Sequence, residues 1–285
     1  MKIYILFNPL SNNKHGKDVV EKAKTYFADN EIEALDITEI GDIREFLSEI
    51  SDEDKIVICG GDGTLNRFAN DTADLEIKND ILYFAAGSGN DFNNDVKGNP
   101  EADPYVINKY ITDLPTVTVK GKTCHFLNGI GYGIDGYCCE VGDIQRSKSD
   151  KPVNYAGIAI KGLLFHFKPA DAVVTVDGKE YKYKKVWLAP AMNGKFYGGG
   201  MKVAPDQDRL NPDKKLSVVI MHGSGKIKTL IVFPSIFKGE HIKHKEMVDI
   251  HTGHVITVKF NKPCALQIDG ETVLDVTEYT AKAGI

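Results

Sequence analysis

Short apolar runs alternate with segments of helical spacing along the first 115 residues. The apolar runs are predicted strands, at positions 2–7, 34–38, 56–59 and 81–85. Between and after them, apolar positions recur at helical intervals, which predicts helices at positions 18–28, 43–50, 65–72 and 102–110. Strands that alternate with helices form a parallel sheet covered by helices, and ligands bind at the carboxyl ends of such strands.

The pattern changes at Leu114-Pro115. From Thr116 onward, apolar and polar residues alternate in short runs with turn residues between them, at positions 116–120, 123–128, 172–176, 182–188, 216–221, 255–260 and 265–268. Alternation with period two is typical of strands with one buried face, and many such runs with few helices predict an antiparallel β-sandwich or barrel. We therefore expect an α/β domain over residues 1–115 and a β-rich domain over residues 116–285.

Two glycine-rich segments follow predicted strands of the first domain. They are Gly60-Gly61-Asp62-Gly63-Thr64, with Asn66 close behind, and Ala85-Ala86-Gly87-Ser88-Gly89-Asn90-Asp91-Phe92. Glycines let the backbone approach a phosphate, and free N–H groups at a helix start favour negative charge. An ordinary turn is the alternative, but an acidic residue between glycines suits a bound cation better. The two segments therefore predict a phosphate site with an associated cation.

These segments also resemble a known family. The first is similar to the signature of the diacylglycerol kinase, sphingosine kinase and NAD kinase superfamily, and the second resembles the Pro-x-Gly-Thr-x-Asn-Asp motif of its lipid kinase branch. Asn8-Pro9-Leu10-Ser11 and Asp269-Gly270-Glu271 extend the resemblance over nearly the whole chain. The chain departs from the family at Asn12, Ala85 and Ser88. The resemblance implies an α/β nucleotide-binding domain, a β-sandwich lipid-binding domain and an active site in the cleft between them.

The resemblance also implies which residues form the site and that ATP and Mg²⁺ are the cofactors. The ATP site would be lined by Asn8, Ser11, Gly60, Gly61, Asp62, Gly63, Thr64, Asn66, Gly87, Ser88, Asn90 and Asp91. Asp62 and Glu271 would hold or orient Mg²⁺, and Asp269 would be the general base. Asp213 is a further predicted metal ligand, although Lys214 follows it where the family has glycine, and a solvated acidic loop stays open as the alternative.

Phosphorylation of a lipid alcohol is the function that the resemblance implies, with diacylglycerol converted to phosphatidic acid as the first choice. A sphingoid base, ceramide, monoacylglycerol or undecaprenol is an alternative acceptor, NAD is another, and a catalytically silent nucleotide-binding regulator is a third kind of alternative. The sequence contains no Gly-x-x-x-x-Gly-Lys-Ser/Thr loop and no protein-kinase signature. Backbone N–H groups of the glycine-rich turns must therefore hold most of the phosphate.

Composition is that of an ordinary globular protein, with 42% hydrophobic and 26% charged residues. Five cysteines, an odd number without paired metal spacing, are expected to be reduced thiols in a cytosol. The chain begins directly with a predicted strand and has no apolar run near the roughly 18 residues of a membrane span. We therefore expect a soluble, cytoplasmic protein whose contact with a membrane is peripheral.

Charge is distributed unevenly between the predicted domains. Residues 1–115 contain 11 Lys and Arg against 23 Asp and Glu, whereas residues 116–285 contain 24 against 17. The basic half either meets an anionic surface such as a membrane or neutralises the acidic half across their interface. The expected partner is a lipid substrate at the membrane surface; no nucleic acid is expected, and a homodimer stays open.

Several weaker patterns have two interpretations. Gly131-Tyr132-Gly133-Ile134-Asp135-Gly136 fits a dinucleotide fingerprint but lies in the β-rich half, where a backbone crossing between domains is the better interpretation. The apolar segments at positions 152–167 and 230–237 are interpreted as core helices, with a wall for acyl chains as the alternative. The pairs His241/His244 and His251/His254 are expected to be surface residues rather than metal ligands.

Overall fold

A change from parallel to antiparallel strands coincides with a division of the chain into two units, Met1–Leu114 and Pro115–Ile285. The computed structural model describes residues 1–9, 16–87, 89–99, 101–148 and 153–284. The units meet one residue before the predicted boundary. The prediction of an α/β unit followed by a mainly antiparallel unit is confirmed.

The first unit contains a five-stranded sheet in the order β2-β1-β3-β4-β5. Its strands are β1 Lys2–Phe7, β2 Glu31–Asp36, β3 Lys55–Gly60, β4 Ile81–Ala85 and β5 Tyr105–Val106. The first four are parallel, and β5 pairs antiparallel with β4. Because β3 and β4 are neighbours, the turns that follow them emerge side by side at one edge of the sheet.

Helices accompany the parallel strands, as the alternating pattern predicts. They are α1 Gly16–Lys24, α2 Ile43–Glu49, α3 Asp62–Asp71, α4 Asp91–Lys97 and α5 Asn108–Ile111. Val20 and Ala23 of α1 pack against Ile3, Val57 and Leu82 of the sheet in a buried apolar core.

The helix predicted at positions 102–110 is wrong. Tyr105 pairs with Tyr83 as part of β5, and only the short α5 follows. Pro104 disfavours helical geometry at the residue before it, and the edge of β4 offers an extended segment a row of backbone partners. Strand pairing therefore prevails over the local helical pattern.

The second unit is built on ten antiparallel strands. They are β6 Thr116–Val119, β7 Lys122–His125, β8 Gly129–Tyr132, β9 Ala170–Val176, β10 Lys179–Val186, β11 Ala191–Met192, β12 Leu216–Met221, β13 Val248–Gly253, β14 Val255–Ile268 and β15 Glu271–Lys282. The order β13-β12-β11-β8-β14-β15-β6-β7 forms the main path, and β9 joins β14 to β10. The two predicted runs at 255–260 and 265–268 form one strand, β14, with register shifts between Lys259 and Cys264.

Helices of the second unit cover part of this sheet. They are α6 Ile134–Arg146, α7 Tyr155–Lys161 with the following π-helical turn Gly162–His166, and α8 Lys226–Val232. Apolar side chains on their inner faces, among them Ile134, Leu163 and Val232, are buried with Trp187 in a common core. The core interpretation of the apolar helical segments therefore holds for these inner faces.

The interpretation of Gly131–Gly136 as a crossing between domains is wrong. The segment is a tight turn from β8 into α6, entirely within the second unit. Gly133 has a φ of 105°, which a side chain would strain, and a Cβ on Gly136 would lie 1.9 Å from the carbonyl oxygen of Ala265. The glycines allow α6 to pack directly on β14.

Candidate functional site

The carboxyl ends of β1, β3 and β4 meet at one edge of the first unit. The backbone N–H of Asn8, which follows β1, donates to the carbonyl of Cys59 at 3.3 Å. The N–H of Ala86, which follows β4, donates to the carbonyl of Gly60 at 2.8 Å. The two glycine-rich segments are thereby fixed against each other, at the place where parallel sheets bind ligands.

The carboxylate of Asp62 joins the two segments. Its Oδ2 accepts a hydrogen bond from the N–H of Asp91 and its Oδ1 one from the N–H of Phe92, both at 2.9 Å. These donors are the first two residues of α4, whose N–H groups have no partner within the helix. Asp62 itself begins α3, so the acidic residue of the first segment caps the helix of the second.

Two glycines explain how closely the segments approach. A Cβ on Gly87 would lie 2.7 Å from the Cα of Gly61, a separation that real side chains do not show. These two glycines are therefore needed for contact between the turns. Gly63 differs, because a Cβ there would have no neighbour within 4 Å among the residues that the structure describes. Of the three, Gly63 is the position where the backbone is open to a ligand.

We expect Gly63→Ala to fold as well as the wild type but to bind ATP more weakly. Alanine raises helix propensity by up to about 1 kcal/mol, and no described residue of the first unit opposes its methyl group. Thermal unfolding should therefore be unchanged or raised, whereas the dissociation constant for ATP, measured by calorimetry, should rise. Equal ATP affinity in the variant would show that no phosphate approaches this backbone.

The second glycine-rich segment is shaped by Asn90. This residue has a left-handed conformation, with a φ of 49° and a ψ of 43°, which asparagine tolerates better than most residues. Its side-chain oxygen accepts a hydrogen bond from the N–H of Gly87 at 2.9 Å. Asn90 therefore closes the turn through which the chain enters α4. Ser88, a predicted ATP contact, lies outside the described residues.

Other predicted ATP contacts surround the same edge. The side-chain amide of Asn8 donates to the hydroxyl of Thr64 at 3.4 Å. Asn66 lies two residues after Thr64 in α3, where its side-chain oxygen accepts from Asn70 at 2.9 Å. The structure therefore brings Asn8, Thr64 and the glycine turns together, while Asn66 interacts along its own helix. Ser11 lies outside the described residues.

A pocket of about 500 Å³ opens beside the second turn, within the range of small-ligand sites. It is lined by Asp18, Val19, Lys22, Tyr26, Phe84, Ala85, Ala86, Gly87, Asn90, Asn99, Glu101, Ala102 and Asp103. The rings of Tyr26 and Phe84 lie 5.6 Å apart, and the Lys22 ammonium lies 5.8 Å from the Phe84 ring. Sequence reasoning missed this pocket, because its walls come from segments far apart in the chain.

In the second unit, Asp269 and Gly270 form a hairpin turn between β14 and β15. Their φ angles are 45° and 96°, and Ile268 pairs with Glu271 across the turn. The Asp269 carboxylate accepts hydrogen bonds from three successive backbone N–H groups: Leu127, Asn128 at 2.8 Å and Gly129 at 3.1 Å. Three such donors fix the orientation of the carboxylate.

Residues that the sequence did not single out support this hairpin. Gln267 accepts from the N–H of Gly270 at 2.6 Å and donates to the buried carboxylate of Asp135 at 3.0 Å. On the other side, the Arg209 guanidinium donates to the Leu127 carbonyl at 3.2 Å and to the Asn128 side chain at 2.9 Å. Apart from the contact between Gln267 and Gly270, these supports join residues 81, 82 and 132 positions apart, so no local sequence signal could have found them.

The predicted metal ligands have different surroundings. Within residues 1–9, 16–87, 89–99, 101–148 and 153–284, no group of three or more His, Cys, Asp or Glu side chains is placed to hold a metal. Asp213 forms an ion pair of 2.9 Å with Lys215, which lowers the pKa of Asp213 and places an ammonium group beside its carboxylate. Glu271 is exposed. This arrangement favours an ion pair over a metal ligand at Asp213.

His241, expected at the surface, is buried. Its Nε2 lies 2.9 Å from the carbonyl oxygen of Val203, and burial lowers the pKa of the ring to about 4. The ring is therefore neutral near pH 7 and belongs to the core. The expectation of a surface residue is wrong because lysines beside it in sequence do not determine which way its ring points.

Comparison with known families assigns both units. The family model described as the diacylglycerol kinase catalytic domain matches residues 2–118. The model described as the YegS C-terminal NAD kinase beta sandwich-like domain matches residues 129–281. The two matches together span both units.

Individual relatives agree with this assignment. A diacylglycerol kinase of Mycobacterium tuberculosis is 27% identical over 277 residues, which cover 92% of this chain and 85% of that protein. A diacylglycerol kinase of Bacillus subtilis is 26% identical over 280 residues, which cover 94% of this chain and 88% of that protein. A crystal structure of a diacylglycerol kinase from Bacillus anthracis shares the fold, with a TM-score of 0.61 and 20% identity over 99% of this chain and 94% of that one.

Proposed function

Because the chain belongs to the diacylglycerol kinase catalytic-domain family, a family of lipid kinases, we propose that it transfers the γ-phosphoryl group of ATP to the hydroxyl of diacylglycerol. The product would be phosphatidic acid. One observation carries the proposal: Asp62 binds the two glycine-rich segments into a single turn assembly at the carboxyl edge of a parallel sheet. Such an assembly suits a nucleotide phosphate.

Phosphoryl transfer requires little covalent chemistry from the protein. Catalysis depends on positioning the reactants and on stabilising the charge of the phosphates. In this proposal, backbone N–H groups around Gly63 contact the phosphates, and Thr64 and Asn8 contribute polar side chains beside them. Asp62 keeps both turns in place while they do so.

The pocket beside the second turn would take the base and ribose of the nucleotide. Its aromatic pair, Tyr26 and Phe84, offers apolar faces for a base. Three acidic side chains of its lining, Asp18, Glu101 and Asp103, can accept hydrogen bonds from ribose hydroxyls and repel phosphates. The phosphates would therefore point away from the pocket, toward the glycine turns.

Tyr26→Ala tests this orientation of the nucleotide. Tyr26 is 42% exposed, so its loss should leave the fold intact, while an aromatic contact to the base is removed. The KM for ATP is expected to rise about tenfold, on the order of one stacking contact, with kcat nearly unchanged. The dissociation constant for inorganic triphosphate, which has no base to stack, should be the same in the variant and the wild type. If the variant lost affinity for ATP and for triphosphate equally, the base would not lie in this pocket.

Asp269 is the proposed general base for the lipid hydroxyl. Its three N–H donors hold the carboxylate in one orientation, which a base needs in order to meet a hydroxyl at hydrogen-bond distance. Asp62 would hold the magnesium ion that accompanies the nucleotide, and carboxylate oxygens fit this ion without an all-protein cage. Bound magnesium would neutralise charge on the phosphates. Glu271, the other predicted ligand, stays a prediction.

Radiolabelled ATP offered with a panel of acceptors tests the proposal. The panel contains diacylglycerol, monoacylglycerol, ceramide, a sphingoid base and undecaprenol in mixed micelles, together with NAD in solution. Labelled phosphatidic acid as the dominant product supports the proposal. A different labelled lipid would change the acceptor, labelled NADP would make the protein an NAD kinase, and no labelled product at all would favour a nucleotide-binding regulator.

A further inference from the structure

The outer face of α8 is apolar where a surface helix is normally polar. Ile227 and Ile231 are 75% and 73% exposed, and their spacing of four residues places them on the same side of the helix. Thr229 and Val232 face the core instead and are buried. The helix therefore carries apolar residues on both faces, and burial within the unit accounts for only one of them.

A second apolar segment lies beside this face. The Lys226 ammonium donates to the carbonyl of Leu164 at 2.8 Å, which fixes the start of α8 against the turn after α7. Phe165, the next residue of that turn, is 71% exposed. Phe165, Ile227 and Ile231 are the three most exposed large apolar side chains among the described residues, and Ile160 and Phe237 extend the same two segments at 48% each. We call these five residues the apolar rim.

The two segments that carry the apolar rim are positively charged, although one of their lysines, Lys228, forms an ion pair of 2.8 Å with Glu246. Residues 153–168 and 225–238, which carry the rim, contain five lysines and no acidic residue. The lysines are all exposed: Lys161, Lys168, Lys226, Lys228 and Lys238. Exposed apolar side chains accompanied by exposed lysines are typical of surfaces that enter the interface of an anionic bilayer.

We propose that the apolar rim docks the protein on an anionic lipid bilayer, with Phe165, Ile227 and Ile231 inserted among the headgroups and the lysines contacting lipid phosphates. The choice of a bilayer rests in part on the proposed function, because a kinase for diacylglycerol must reach a substrate that resides in a membrane. None of the described helices has the length and apolar character to cross a membrane. Docking of this kind needs no spanning helix.

Charge argues for lipid over a second copy of this chain. Two copies meeting through the rim would bring Lys161, Lys168, Lys226 and Lys238 of one copy against the same lysines of the other, while Lys228 is already paired with Glu246. Like charges at an interface oppose association, whereas each lysine near an anionic leaflet contributes attraction of about fivefold in binding constant. The rim therefore fits a surface of opposite charge.

Sedimentation with vesicles tests the proposal. The full chain is mixed with vesicles of phosphatidylglycerol and phosphatidylcholine, or of phosphatidylcholine alone. The variant Ile227→Gln/Ile231→Gln is expected to bind the anionic vesicles about tenfold or more weakly than the wild type, because two buried apolar side chains are lost. In Lys161→Gln/Lys238→Gln, the affinity for anionic vesicles should fall about fivefold for each lysine removed, and this loss should be seen only at low salt.

A matched control removes two other exposed apolar side chains of the same unit. Ile144 and Leu274 are 48% and 49% exposed and lie outside the two rim segments. Ile144→Gln/Leu274→Gln should bind vesicles like the wild type. We call Ile227→Gln/Ile231→Gln the rim variant. The proposal would be overturned if the control variant lost as much vesicle affinity as the rim variant, or if the rim variant bound vesicles like the wild type. It would also be overturned if the wild type bound neutral and anionic vesicles equally well. So would a dimer in analytical ultracentrifugation that only the rim variant abolishes.

Kinase assays separate failure of this proposal from failure of the proposed function. With short-chain diacylglycerol dispersed in detergent, the rim variant should match the wild type, since no bilayer has to be reached. With diacylglycerol embedded in anionic vesicles, its rate should fall about as far as its binding does. If neither protein phosphorylates any lipid but vesicle binding still depends on the rim, the docking surface stands and the assigned reaction does not.

Discussion

Replacing Asp269 with asparagine is expected to lower kcat at least about a hundredfold, the usual contribution of a general base. Asparagine cannot accept the proton of the attacking hydroxyl. The nucleotide contacts proposed here lie in the other unit, so the dissociation constant for ATP should change little. Steady-state kinetics with diacylglycerol micelles and calorimetry with ATP measure the two quantities.

Asp269→Asn also changes the hairpin, and the chain offers a matched control for that effect. Asp177 and Gly178 form a second Asp-Gly turn in the same unit, with φ angles of 48° and 83°. The Asp177 carboxylate likewise accepts from successive backbone N–H groups, those of His254 at 2.9 Å and Val255 at 2.8 Å. Asp177→Asn therefore repeats the structural change without the proposed chemistry.

The control and a neighbouring variant decide the role of Asp269. Asp177→Asn should lower the melting temperature about as much as Asp269→Asn and leave kcat near the wild-type value. Similar losses of kcat in both variants would make Asp269 a structural residue. If Glu271→Gln lost activity while Asp269→Asn retained it, the exposed carboxylate of Glu271 would be the base instead.

Asp62→Ala is expected to abolish measurable ATP binding and to destabilise the first unit. It removes both oxygens that accept from the N–H groups of Asp91 and Phe92. Hydrogen bonds to a charged group contribute about 1.5–3 kcal/mol each, so the free energy of unfolding should fall by at least about 2 kcal/mol. Without this link, the two glycine turns lose their fixed spacing. Urea denaturation and ATP titration measure both effects.

A second capped helix of the same unit serves as the control. Asp42 caps α2 through the N–H of Arg44 at 2.9 Å, and its loss should cost about 1 kcal/mol. Asp42→Ala should therefore be somewhat destabilised but bind ATP like the wild type. Normal ATP affinity in Asp62→Ala would mean that the link between the turns is irrelevant to the nucleotide.

Local sequence predicted the elements whose signals are local. The alternating segments of the second unit follow from their period of two residues. The helix predicted at 102–110 is wrong because pairing of Tyr105 with Tyr83 depends on a strand more than twenty residues away. A nearby strand edge outweighs weak helical spacing.

The candidate site was predicted as a set of residues but not as an arrangement. The contact of Asp62 with α4 joins residues about thirty positions apart, and it exists only because β3 and β4 are neighbours in the sheet. The three N–H donors to Asp269 come from a loop about 140 positions earlier. Sequence named both carboxylates as functional but gave no sign that backbone N–H groups hold them.

Hydrogen–deuterium exchange with and without magnesium and ATP tests the central claim most directly, that the nucleotide binds the two glycine turns. We expect slower exchange at the backbone N–H groups of residues 60–65 and 85–92, and unchanged exchange at the 177–178 turn. Unchanged exchange at both glycine turns under saturating ATP, or slowing confined to other segments, would contradict it.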